Sequence, residues 1–184
     1  MDTYRLLLVG GSLRAGSVSS AVLDTMAAIA PPGVFTTVYA GLRTLPWFDP
    51  DDDRLPLHPA VADLRDRLHN SDAVLFSTPE YAGALPGAFK NLLDWTVGDG
   101  MYEMPVGWVN ASSSYAGAQF AYESLRRILG YLNTEIVETA CVQLPVPRTS
   151  YGPDGLITDP QIRVRLAEVL AALVVHIALV RRRD

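Results

Sequence analysis

The sequence contains a single cysteine, Cys141. One thiol closes no internal disulfide, so nothing in the chain requires an oxidising compartment. Cys141 sits in the stretch Thr139-Ala140-Cys141-Val142, which reads as strand, and is expected to be a small buried hydrophobe. A long apolar run is also missing. A membrane-spanning helix takes roughly 20 apolar residues. The longest late run, Val169 to Val180, is shorter, contains His176 and ends at Arg181-Arg182-Arg183. It reads as a buried final helix with a solvated basic end. The opening run Leu6-Leu7-Leu8-Val9 is too short for the core of a signal peptide. A cytoplasmic protein without membrane contact is the expectation. Basic charge is in deficit, with 15 Lys and Arg against 20 Asp and Glu and a formal net charge of -5. That balance argues against a general nucleic-acid binder, which needs a basic face to meet phosphates. His58, His69 and His176 are scattered and share no ligand spacing with Cys141, so no metal is expected.

What is present is ordinary globular material. The 184 residues are 49% hydrophobic and 19% charged, enough for one domain over residues 1–184 with a sizeable core. No repeat, low-complexity segment or linker divides the chain. Short apolar runs alternate with helical patterns instead. Strands are predicted at Tyr4–Val9, Val34–Tyr39, Ala73–Ser77, Val106–Asn110 and Thr134–Leu144. Between them, helical spacing appears over Ser17–Ala30, at Val61, Leu64 and Leu68, over Gly87–Val97 and over Tyr115–Leu132. A last helix is marked by Ile162, Leu166, Val169, Leu170, Leu173, Ile177 and Val180. Strands separated by helices imply an α/β fold with a doubly wound, five-stranded parallel sheet. Ligands of such sheets lie beyond the carboxyl ends of the strands. The turns after strands one, three and four are therefore the places to search.

The first turn reads Gly10-Gly11-Ser12-Leu13-Arg14-Ala15-Gly16-Ser17-Val18-Ser19-Ser20, and no Asp or Glu occurs from Thr3 to Leu23. Glycines let amides converge, and a helix N-terminus carries partial positive charge. Ser12, Ser17 and Ser19 offer hydroxyls and Arg14 a full charge. The stretch suits an oxyanion, most simply a phosphate. It lacks the Gly-Lys-Ser/Thr ending of a nucleotide P-loop and the three-glycine dinucleotide spacing. A serine-capped helix with a solvated Arg14 is the plainer alternative. The third strand runs into Thr78-Pro79-Glu80-Tyr81-Ala82-Gly83-Ala84-Leu85-Pro86, bracketed by prolines with an aromatic at its tip. Such a loop can turn amides toward a flat heterocycle while Tyr81 meets its face, or simply be a rigid connection. After the fourth strand, Ala111-Ser112-Ser113-Ser114 leaves room for a ring, or caps a helix through Ser113 or Ser114.

Taken together, Gly11-Ser12-Leu13-Arg14 with Ser17, Thr78-Pro79-Glu80-Tyr81, Pro86-Gly87 with Lys90-Asn91, and Asp94-Trp95 resemble the NADPH-dependent FMN reductase family, which includes quinone, chromate and azo-dye reductases. The likeness spans nearly the whole chain, with Leu45-Pro46 and Asp49-Pro50 included. It implies a flavodoxin-like sheet of strand order 2-1-3-4-5. It implies FMN as cofactor, NADPH or NADH as donor, and a small acceptor such as a flavin or quinone. Ser12, Arg14, Ser17 and Ser19 would hold the phosphate. Pro79, Glu80, Tyr81, Ala82 and Gly83 would face the ring, with Ser112 on its other side. No side chain is expected to act as acid, base or nucleophile, because the flavin carries the chemistry. Two positions depart from the pattern: Ser19 and Ala82 stand where the family usually has Asn. Two other readings share the scaffold. One is a non-catalytic FMN electron carrier or redox sensor. The other is an interaction module without flavin. A homodimer or homotetramer is expected, from Leu92, Leu93 and Trp95 beside the ring loop, from the apolar last helix, and from the family.

Overall fold

The structure is a computed structural model and describes residues 3–114 and 116–182. The strands are β1 (Tyr4–Gly10), β2 (Val34–Val38), β3 (Ala73–Ser77), β4 (Pro105–Asn110) and β5 (Glu135–Gln143). The helices are α1 (Val18–Ala28), α2 (Pro59–His69), α3 (Gly87–Asp94), α4 (Gln119–Tyr131) and α5 (Pro160–Val180). The strands form one sheet in the order β2-β1-β3-β4-β5, and every pairing is parallel.

The sheet is sandwiched, which is why its middle strands read as unbroken apolar runs. In β1, Leu7 and Val9 join Val74, Phe76 and Trp108 under α2, α3 and α4. Leu6 and Leu8 point the other way, with Leu75 and Val109, under α1 and α5. Alternation of side chains along each strand thus feeds two cores from one run. Fully burying a Leu or Phe side chain contributes about 1.5–3 kcal/mol, so these layers hold the strand ends in register.

Local chemistry sets the helix ends. Ser17 caps α1, its Oγ accepting from Ser20 N at 3.1 Å. Asp159 caps α5 by accepting from the amides of Gln161 and Ile162. The third helix stops at Asp94, short of the predicted Val97. There Thr96 Oγ1 donates to the Leu93 carbonyl at 2.7 Å, and Gly98 turns with φ 80°. The fourth helix starts at Gln119, later than predicted, after Gly117 and Ala118 at φ 59° and 55°. Its predicted first residue, Tyr115, lies outside the described residues.

Three expectations change. Leu92, Leu93 and Trp95 are at most 2% exposed and belong to the protein's own core, because their helix packs flat on the sheet. They leave no surface for a second copy. The basic end of α5 is not simply solvated. Arg181 folds back over the Tyr4 ring, donates to the Thr3 carbonyl and pairs with Asp72 at 2.6 Å. Arg183 lies outside the described residues. Cys141 is only partly buried, because β5 is an edge strand.

Candidate functional site

The carboxyl ends of β1, β3 and β4 lie side by side in the sheet, so their turns form one rim. The first two touch through a glycine. Gly11 N donates to the Ser77 carbonyl at 2.9 Å. A Cβ on Gly11 would lie 2.0 Å from Thr78 Oγ1 and 2.5 Å from Thr78 Cβ, so no larger residue permits this approach. The second and third are joined by Tyr122 of α4. Its hydroxyl accepts from Thr78 N at 3.1 Å and donates to the Val109 carbonyl at 2.7 Å. Ser77 Oγ reaches the same carbonyl at 2.9 Å. Burial raises the Tyr122 pKa, so the phenol stays protonated and keeps donating.

The first turn is poor in internal hydrogen bonds. Between Ser12 and Ser19, Arg14 N alone has a protein acceptor among the described residues, the Ser12 Oγ at 3.2 Å. The remaining amides of this stretch have no protein partner among those residues. The Arg14 side chain is exposed, with no acidic partner among the described residues. A second guanidinium braces the turn: Arg43 donates to the Leu13 carbonyl at 2.7 Å. Ser17 Oγ is shared with Ser20, and Ser19 is buried within α1.

The second turn closes on itself. Tyr81 N donates to the Ala84 carbonyl at 3.0 Å, and Ala84 N returns the bond at 3.1 Å. Ala82 and Gly83 between them have φ 51° and 71°. Two positive φ values in succession mark a type I′ turn. The amides of Glu80, Ala82 and Gly83 have no protein acceptor among the described residues. Tyr81 is 50% exposed at the tip. The Glu80 carboxylate is committed elsewhere, accepting from Ala121 N at 3.0 Å. It therefore caps α4, a role the sequence suggested for Ser113 or Ser114.

In the third turn, Asn110 does the holding. Its Nδ2 donates to the Gly117 carbonyl and its Oδ1 accepts from Ser112 N at 3.2 Å. Ser112 Oγ bonds Ser114 Oγ at 2.9 Å. Beyond this turn a cleft of about 790 Å³ opens between α4 and β5, with Trp108 and Gln143 among its walls.

The candidates from the sequence thus lie on three adjacent turns or, for Ser19, at the start of the helix that follows the first. Ser12, Arg14 and Ser17 share the first, with Ser19 just beyond it, buried in the first turn of α1; Pro79, Glu80, Tyr81, Ala82 and Gly83 share the second, and Ser112 lies on the third. The structure adds Arg43, Asn110 and Tyr122. Arg43 carries no sequence signal, being 30 positions from the turn it braces. Tyr122 carries a weak one: a hydroxyl on the buried face of a helix needs a partner.

Residues 4–146 match the family described as NADPH-dependent FMN reductase. The chain belongs to that family. It is 29% identical over 175 residues to an NAD(P)H-dependent FMN reductase of Pseudomonas aeruginosa, covering 94% of each chain. It is 27% identical over 191 residues to a probable NADPH:quinone oxidoreductase of Oryza sativa subsp. japonica, covering 98% of this chain and 95% of the other. Among solved structures it resembles the flavoenzyme FerB, an NAD(P)H:(acceptor) oxidoreductase from Paracoccus denitrificans. The TM-score is 0.80 at 25% identity, over 93% of this chain and 96% of that one. The NADPH-dependent FMN reductase fold is thus the flavodoxin-like sheet expected from the sequence.

Proposed function

We propose that this member of the NADPH-dependent FMN reductases holds FMN on the rim and passes two electrons from NAD(P)H to a small acceptor, a quinone or free flavin. The observation that carries this reading is the run of amides from Ser12 to Ser19, all but that of Arg14 without a protein partner among the described residues, beside the Arg14 guanidinium. Leu13 to Gly16 are exposed, but Ser12, Ser17 and Val18 are half-buried and Ser19 is buried, where an amide without a partner is costly, and a phosphate dianion satisfies several at once. The residues present fit FMN. Ser12, Arg14 and the N-terminus of α1, with Ser17 and Ser19, take the phosphate. The turn from Pro79 to Gly83 offers open amides to the ring edge, and Tyr81 offers an aromatic face. Ser112 closes the third side.

Bound FMN supplies the hydride chemistry; the chain supplies binding and orientation. The overall exchange is NAD(P)H, a proton and quinone giving NAD(P)+ and quinol. Two titratable side chains of the rim are committed to the protein itself, the Glu80 carboxylate capping α4 and the Tyr122 hydroxyl engaged on both sides, which supports leaving the chemistry to the flavin.

The proposal includes a homodimer or homotetramer in the cytoplasm, where NAD(P)H is available. The surface that supports assembly is no longer Leu92, Leu93 and Trp95. Two separate groups support it instead: Val97, Tyr102 and Tyr131 on the α3–α4 side of the sheet, and Val164, Val175 and Leu179 along α5 on the opposite side, each at least 40% exposed. No helix among the described residues is long and apolar enough to cross a membrane.

Titration of flavin-free protein with FMN, followed by NAD(P)H oxidation with and without a quinone, tests the function. Saturable yellow complex and acceptor-dependent turnover are expected. FMN binding without turnover would instead indicate a carrier or sensor, and no binding would refute the reading. Light scattering at micromolar concentration tests assembly, and a monomer refutes that part.

A further inference from the structure

We infer that Glu80 and Tyr122 are positioning residues that fasten the loop Thr78–Gly83 to α4 and so fix where its open amides point. The inference rests on the FMN reading above, because those amides are the ones assigned to the ring.

The start of α4 is unusual. Gly117 and Ala118 both have positive φ, and Ala118 has no side chain able to cap the helix. The first amides of a helix need acceptors from elsewhere. Glu80 supplies one from 41 positions away, its Oε2 accepting from Ala121 N at 3.0 Å. A carboxylate at a helix N-terminus is also favoured by the helix dipole. The next residue, Tyr122, takes hold of the same loop from the other side, accepting from Thr78 N at 3.1 Å. Successive residues of α4 thus grip residues 78 and 80. Pro79 lies between them with its φ fixed by the ring. The segment has little freedom left, and it leads straight into the Tyr81–Ala84 turn.

Both gripping side chains are used up by protein partners. The Tyr122 hydroxyl accepts one bond and donates another, to Val109. The Glu80 carboxylate faces a helix amide. Their influence on the flavin therefore passes through the backbone of the loop. α4 holds Thr78 N and the Glu80 carboxylate, and the Pro79 carbonyl between them accepts from Thr78 Oγ1 at 3.1 Å. Loosening the grip should free the ring amides while leaving the phosphate turn, on the far side of Gly11, intact.

The test uses the full chain and the variants Glu80→Ala, Glu80→Gln and Tyr122→Phe. Three readouts are compared: hydrogen exchange at the Ala121 amide without flavin, FMN affinity with the visible spectrum of the complex, and competition by inorganic phosphate. Glu80→Ala should speed Ala121 exchange and weaken FMN about tenfold, the size expected when one charge-assisted bond is lost. It should also alter the flavin spectrum, while the affinity for inorganic phosphate stays the same. Glu80→Gln keeps an acceptor and should recover FMN affinity to within about twofold. Tyr122→Phe keeps the ring packing, frees Thr78 N, and should weaken FMN but not phosphate.

Two results overturn the inference. One is wild-type FMN affinity in Glu80→Ala and Tyr122→Phe despite faster exchange at Ala121. The other is a Glu80→Gln variant as weak as Glu80→Ala with Ala121 still protected, which would mean that the carboxylate acts on the flavin directly. Failure of the FMN reading looks different: the wild-type chain then binds no FMN, while the exchange protection at Ala121 remains.

Discussion

Ala82 sits at the first central position of a type I′ turn with φ 51°, where an L-residue with a Cβ is strained. Left-handed backbone costs an ordinary L-residue about 1–2 kcal/mol, whereas Asn visits it readily. The neighbouring Gly83, at φ 71°, adopts the same region without that penalty. Ala82→Asn should therefore stabilise the fold by about 1 kcal/mol, which raises Tm by about 2–4 °C for a chain of this length. With the ring placed as proposed, its amide should also bond the ring edge, adding about 0.5–1.5 kcal/mol to FMN binding, or several-fold in affinity. Ala82→Gly separates the two effects. Glycine relieves the strain but adds about 0.4–1 kcal/mol of unfolded-state entropy, and it brings no hydrogen-bonding group. Its stability should stay close to that of the wild-type chain, and FMN affinity should not rise. Urea unfolding of the flavin-free proteins and FMN titration of all three are the measurements. If Ala82→Asn unfolds at the same urea concentration as wild type, residue 82 is not strained. If Ala82→Gly tightens FMN as much as Ala82→Asn does, the gain is backbone relief and the Asn side chain does not meet the flavin.

Arg14→Ala should weaken FMN by about 1.5–3 kcal/mol with little change in urea stability, since the side chain is exposed and unpaired among the described residues; unchanged affinity would place the phosphate elsewhere. Gly11→Ala should cost about 1–3 kcal/mol of stability or more, because the Thr78 Cβ at 2.5 Å cannot be cleared by rotating its hydroxyl. An Ala variant with wild-type stability and FMN affinity would show that the two turns can part without consequence. Alkaline pH should destabilise the fold. Burial pushes Cys141 from 9.0 and Tyr39 from 10.0 up to about 12, and raises Tyr122 as well. Above about pH 9 the unfolded chain releases protons that the folded chain keeps, so unfolding becomes easier as pH rises toward 12. Urea midpoints that do not fall between about pH 8 and pH 11 would contradict this.

The alternation of apolar runs and helical spacing was enough to place the five strands and their helices, because strands buried on both faces leave little room for polar residues. Ala73–Ser77 falls on its predicted limits for that reason. The glycine- and serine-rich turn after β1 was legible because its composition is local, and the structure puts Ser12, Arg14 and Ser17 together beside the ends of β3 and β4. The tertiary structure decided what each remaining side chain does. Glu80 reads as a residue facing a ligand, yet its carboxylate serves a helix 41 positions later. Leu92, Leu93 and Trp95 look spare in the sequence, but the packing of α3 buries them. Arg43 reaches the turn after β1 only because β2 lies beside β1 and brings the following residues back to it. The positive φ of Ala82 follows from the two hydrogen bonds that close its turn, and alanine's own preference gives no hint of it. Sequence periodicity reports what a residue's own element buries. Hydrogen bonds between elements depend on which strand ends become neighbours, and the strand order 2-1-3-4-5 settled that.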